Sequence, residues 1–156
     1  MSSRRQRILE VMKGRLETIQ VVDGFQTDAG QHVLLGELPE FGPADPAQAI
    51  ALIPGEDVVN PHLSNIPIEW PLNICALVPA RVRESWKDIE AMLADIKQAV
   101  ELEDRLLGGL LVEGRSRLGL FRGTTETLER RSGSEFVGAV ITYVAPYVEA
   151  WGHPNA

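Results

Sequence analysis

A chain of 156 residues, 44% hydrophobic and 24% charged, is long enough to bury one core and has the composition of a globular protein, not of a disordered or fibrous one. Its net charge of -7, from 22 acidic against 15 basic residues, opposes binding to a nucleic-acid backbone unless the basic groups are strongly segregated. The single cysteine, Cys75, permits no intrachain disulfide and no thiolate zinc site; the absence of a signal-like or spanning apolar run fits synthesis in a reducing cytoplasm, without membrane insertion or export.

Ile8, Leu9, Met12, Leu16 and Ile19 recur at helical steps, which predicts a helix from Ser3 to about Val22 with Ser2 or Ser3 as N-cap and Asp23-Gly24 as its stop. Its basic residues, Arg4, Arg5, Arg7, Lys13 and Arg15, read mainly as a solvated face. A turn at Thr27 to Gly30 leads into a short strand, His32 to Leu35. The following loop, Gly36 to Pro46 (GELPEFGPADP), holds too many prolines, glycines and acids for regular structure. Ala49 to Ile53 reads as a second strand, and Glu56 to Glu69 as a second polar, proline-containing loop within 55–69.

Trp70 to Val78 turns apolar on both faces, as a central strand does, and Cys75 is expected to pack within it. Trp86, Ile89, Met92, Leu93, Ile96, Ala99 and Val100 form the clearest helical stripe, read as core contact. Ser85 with Asp88 suggests a capping box, and the helix is expected to fade near Glu103 and end at Gly108-Gly109. Arg115 to Arg130, broken near Gly123, and Phe136 to Val148 read as an antiparallel hairpin around Arg131 to Ser134, followed by an irregular segment, 151–156. The sum is one α+β domain over residues 1–156, with a mixed or antiparallel sheet of four or five strands packed against two main helices.

No catalytic template fits. The chain lacks GxxxxGK and GxGxxG phosphate loops, and His32, His62 and His153 stand apart with no metal-ligand spacing. The carboxylates at Glu56/Asp57 and Glu101/Glu103/Asp104 sit in plainly polar stretches, and Ser132 to Ser134 has no nucleophile-elbow context. No catalytic, cofactor-binding or metal residue is therefore assigned, and no cofactor is expected.

An amphipathic first helix, the Gly-x-x-Thr-Asp-x-Gly turn from Gly24 to Gly30, the apolar strand through Leu72 to Val78, the helix from Trp86 and a closing strand with Tyr143 and Tyr147 together resemble the tail terminator proteins of long-tailed bacteriophages. The resemblance implies a structural protein, not an enzyme, that forms a homo-hexameric ring on the last ring of the tail tube, stops its growth and offers a surface to the head-tail connector or neck protein. It places the protein in the virion at the head-tail joint. The implied partners are other copies of the chain, the major tail tube protein, the connector and, in a contractile tail, the sheath. DNA would only pass through an acidic lumen. Interface candidates are Glu37, Glu40, Phe41 and Asp45 in the first long loop, Arg122, Arg130 and Arg131 about the last hairpin, and Trp151. Another head-tail joining component, a small enzyme with a site near His62 or His32, and a bacterial adaptor remain open alternatives.

Overall fold

The computed structural model describes residues 2–42, 45–113, 118–128 and 133–156. Its main elements are α1 (Arg4–Glu17), β1 (Val33–Leu35), β2 (Ala49–Pro54), β3 (Val58–Val59), β4 (Ile66–Pro79), α2 (Ser85–Glu101), β5 (Phe121–Leu128) and β6 (Phe136–Glu149). Among the described residues six strands form one sheet in the order β1-β2-β4-β6-β5, with β3 also paired to β4. The class is α+β, as expected. The sheet is mixed because β1 and β2 are parallel while every other pair is antiparallel. Parallel neighbours need a crossover connection, and the chain between β1 and β2, which includes the long acidic loop, supplies it.

The expected loop at 55–69 is in part strand. Gly55 donates its amide to Pro71 O at 2.8 Å, and His62 donates to Asn65 O at 2.8 Å. β2 and β3 thus form one interrupted arm, and β4 the other, of a long hairpin tipped at His62–Asn65. Ile66 and Ile68 alternate with Pro67 and Glu69 in the first residues of β4, a strand pattern that the prolines disguise.

α1 starts on the expected residue: Ser3 Oγ accepts from Gln6 N at 3.1 Å, and Gln6 Oε1 accepts from Ser3 N at 2.7 Å. It ends at Glu17, before the expected Val22; a separate 3₁₀ turn, Val21–Asp23, follows and closes on Gly24 at φ 92°. α2 departs from expectation at both ends. Ser85 is its first residue and makes no cap; Glu84 occupies the cap position at φ 51° without a side-chain capping bond, and the helix stops at Glu101, well short of Gly108-Gly109.

The basic residues of α1 do more than coat its surface. Arg15 Nη1 donates to Val100 O and Glu103 O, each at 3.1 Å, and Nη2 to Asp104 O at 2.6 Å. The guanidinium therefore takes up the Val100 carbonyl in the last turn of α2 and two carbonyls of the segment just after it, where a cation is also favoured by the helix dipole. Arg5 bonds Asp57 at 2.9 Å and lies 3.9 Å from the centroid of the Trp70 ring. Arg4 and Arg7 donate to Ala156 O and Asn155 O, both at 2.7 Å, and hold the last residues against α1.

The turn from Gly24 to Gly30 is a structural lock. Asp95 of α2, only 1% exposed, accepts from Gln26 N at 3.0 Å, Thr27 N at 2.8 Å and Thr27 Oγ1 at 2.7 Å. Three donors meet the cost of burying this carboxylate. Asp28 Oδ1 accepts from Val21 N at 2.8 Å. Gly30 is required because a Cβ there would stand 2.6 Å from Ile19 O. The Thr-Asp and glycine positions thus bind the end of α1 to the middle of α2.

Both helices lie on one face of the sheet. Ile8, Met12 and Leu16 of α1 and Ile89, Met92, Leu93, Ile96 and Val100 of α2 pack on the inward alternation of β4 and β6, including Trp70, Leu72, Ile74, Ile141, Tyr143 and Tyr147. At roughly 1.5–3 kcal/mol for each fully buried large side chain, this layer is the main source of stability.

Candidate assembly surface

Among the described residues the opposite face of the sheet carries no helix, and its residues are not those of a solvated face. Register places Ala49, Ala51 and Ile53 of β2, Pro67, Pro71, Cys75 and Leu77 of β4 and Val140, Val144 and Val148 of β6 on it. Only a few polar side chains interrupt it, such as Glu69 and the cross-strand pair in which Thr142 Oγ1 donates to Asn73 Oδ1 at 2.8 Å. A sheet with one wet face normally alternates apolar with polar residues. Here both alternations of the central strands are apolar.

The upper part of this face is covered by the crossover loop. Phe41 is half-buried on a small cluster of Ala51, Cys75 and Leu77 and meets the His32 ring edge-to-face at 6.5 Å. Burial pushes the Cys75 thiol up to about 11, so it is a neutral packing group and no nucleophile at ordinary pH. Glu40 and Asp45 stand exposed around Phe41 and, with Glu135, line a hollow of about 630 Å³. Asp45 also braces the loop by accepting from Gly42 N at 2.8 Å. Glu37 is exposed outside this group.

The lower part has no helix or loop packed over it among the described residues. A groove of about 620 Å³ crosses β3, β4 and β6 between Val58, Val59, Pro67, Val112, Pro146 and Val148, with Glu69 on its lining. The segment at Val112 is fixed by a hydrogen bond that its amide donates to Pro146 O at 2.9 Å. Val58 is 60% exposed on the groove rim. Nearby, Trp151 folds back on its own chain, Nε1 donating to His62 O at 2.8 Å, yet remains 55% exposed.

Arg122, expected as a salt-bridging group between subunits, is held within the chain. Its Nε and Nη2 grip the two oxygens of Glu101, each at 3.0 Å, and the Tyr143 hydroxyl donates to the same carboxylate. Burial, reinforced by the bond to Glu101, raises the Tyr143 pKa. Arg130 and Arg131 lie outside the described residues. The structure therefore brings Glu40, Phe41 and Asp45 together, sets Trp151 beside the lower hairpin tip and withdraws Arg122 into an internal network.

Two features escaped the sequence reading. The groove is built from four separate segments, and no local pattern joins Val58, Val112 and Val148. Trp86, assigned to the core stripe of α2, is instead 63% exposed, with Lys87 Nζ 5.7 Å from its ring centroid. It lies in the first turn of α2, where the stripe's buried residues have not yet begun.

Among the described residues no group of three His, Cys, Asp or Glu side chains is placed to hold a metal ion, and no helix is long and apolar enough to cross a membrane. No protein-family model matches the chain, and no curated protein matches it.

Proposed function

We propose that this chain is a ring-forming virion assembly protein that caps the head-proximal end of a long-tailed phage's tail tube, ends tube growth and receives the head connector. The observation that carries the reading is the helix-free face: an apolar, well-formed sheet surface that its own chain covers only in part. Such a surface marks a protein contact in preference to a small-molecule reaction centre. The acidic balance of the chain suits a lumen through which DNA passes without adhering. The acidic hollow at Glu40, Asp45 and Glu135 is a second contact region, suited to a basic patch on the tube or connector.

Inactivating the gene in a phage that encodes it should yield overlong tails that fail to join heads. Purified protein added to polymerising tail tubes should halt them at one end and should be seen there by electron microscopy as a ring, hexameric on this reading. Normal tail lengths without the gene product, together with a protein that leaves tube growth unchanged, would contradict the proposal.

A further inference from the structure

Resting on the ring-forming reading, we infer that a pocket at the β5 edge of one copy takes up Glu37 and Leu38 from the β1 edge of the next, so that the ring is joined head to tail through opposite edges of the sheet. The pocket, of about 460 Å³, lies where the end of α2 and the segment before β5 meet the first residues of that strand; Arg105, Leu118, Leu120, Phe121 and Arg122 line it together with Glu101. Each charge there has a defined engagement. Glu101 holds Arg122 and the Tyr143 hydroxyl. Arg122 uses only Nε and Nη2 for that pair, which fixes the plane of the guanidinium and leaves its other edge, Nη1 with the second proton of Nη2, open to a second carboxylate. Asp104 turns its carboxylate onto Leu106 N at 3.1 Å and Gly108 N at 2.7 Å, and Glu103 lines a separate hollow with Arg15 between the helices. The exposed guanidinium of Arg105 has no hydrogen bond or ion pair among the described residues. One oriented and one free guanidinium thus stand beside an apolar wall, which selects a carboxylate attached to an aliphatic body.

Glu37 and Leu38 present that combination. Leu38 is 52% exposed, Glu37 and Glu40 are exposed to either side of it, and Pro39 is buried beneath them. Neither carboxylate has a partner among the described residues, and the chain carries no lysine or arginine between Arg15 and Arg81. The segment is therefore an unpaired acidic group beside an exposed leucine, held on a buried proline, and it complements the pocket in both charge and apolar contact.

The two features stand at opposite ends of the strand order β1-β2-β4-β6-β5, four strand spacings or about 19 Å apart, so the contact cannot close within one chain. They share a height along the strands. Gly36, next to Glu37, donates its amide to Leu52 O at 2.9 Å. Leu52 is in register with Ile74, and Ile74 with Ile141, while Arg122 pairs with Tyr143, two residues further along β6. A copy set beside the first along the sheet thus brings its Glu37 to within about 7 Å of the pocket's level in the strand direction. Two different patches that face each other make a heterologous contact, which closes into a ring where the rotation permits. The loop that carries Glu37 continues to Phe41 on the helix-free face, so this joint adjoins the surface on which the ring reading rests.

The test uses the full chain in sedimentation velocity and native mass spectrometry. Glu37→Arg and Arg105→Glu alter exposed side chains, so each variant should melt as the wild type does while losing self-association about tenfold or more. The two reversals combined in one chain recreate the pair with its signs exchanged and should recover most of that loss. A cross-link supplies the direction: Glu37→Cys protein mixed with Arg105→Cys protein under mild oxidation should give the mixed disulfide dimer in preference to either homodimer, Cys75 being buried. A wild-type ring whose assembly is unchanged by both single reversals would overturn this inference while leaving the ring reading intact. A double reversal that assembles no better than the single ones, or homodimeric cross-links in place of the mixed one, would overturn it equally. An Arg105→Glu protein that keeps the ring and no longer attaches to tail tubes would assign the pocket to another partner and overturn it as well. A wild-type chain that stays monomeric at every concentration and on tail tubes would remove both.

Discussion

The two faces of the sheet are built from the same strands and meet different fates. Along β6, Ile141, Tyr143, Ala145 and Tyr147 sink beneath the helices, while the intervening Val140, Val144 and Val148 stay half-buried on the side without helices. Both sets are apolar enough for a core, yet among the described residues helices cover only one, and the crossover loop covers part of the other. The difference teaches that apolar alternation reports where a strand expects contact, and not whether its own chain will provide it. In a monomer such a face is a liability; in an assembly it is the joint.

The comparison breaks most visibly where the covered face is cut. Trp70→Ala removes a fully buried ring that also donates Nε1 to Gly55 O at 3.1 Å and stacks under Arg5, and should cost about 3–5 kcal/mol in urea unfolding. Asp95→Ala leaves two buried donors of Thr27 and the part-buried amide of Gln26 without their acceptor. Its cost should be about 3 kcal/mol, and amide exchange should quicken first at Gln26 and Thr27.

Next in size is an alkaline effect at the covered part of the helix-free face. The folded chain holds the Cys75 proton from the ordinary 9.0 up to about 11. The unfolded chain therefore ionises first, and stability is full below about pH 9 and falls between pH 9 and 11, by about 2–3 kcal/mol at 1.36 kcal/mol per unit. Tyr143 and Tyr147, also raised by burial, extend the fall to higher pH. Guanidinium unfolding across this range should show a shallower decline for Cys75→Ala; identical slopes would mean that the thiol is not held in a dry cluster. The smallest expected effect is at the half-buried Val144 on the helix-free face. Val144→Thr should change monomer stability by no more than about 0.5 kcal/mol, whereas Ile141→Ala on the same strand should cost about 2–5 kcal/mol.

Much of the covered half was legible in the sequence. The three- and four-residue apolar steps located both helices, the alternation of Phe136 to Val148 located the closing strand, and Ser3 with Gln6 caps α1 where a cap was expected. The break expected near Gly123 is a register shift between Arg122 and Thr125. Legibility failed where partners are distant in the chain. Nothing near Arg15 announces the carbonyls of Val100 and Asp104, and nothing near Arg122 announces Glu101. It failed also where periodicity outran cover, as at Trp86, whose spacing fits the stripe although the buried residues of α2 begin only at Ile89.

The candidate surface divides in the same way. The loop around Phe41 was visible because prolines, glycines and acids cluster locally. The groove was not, because strand pairing assembles it from Val58, Pro67, Val112 and Val148.

The most direct test of the account is native mass spectrometry of the wild-type chain beside Val144→Glu, with thermal melts of both. The account predicts a closed ring for the wild type and a monomer with a nearly unchanged melting temperature for the variant. A Val144→Glu protein that still assembles into the wild-type ring would contradict the claim that the helix-free face is the joint.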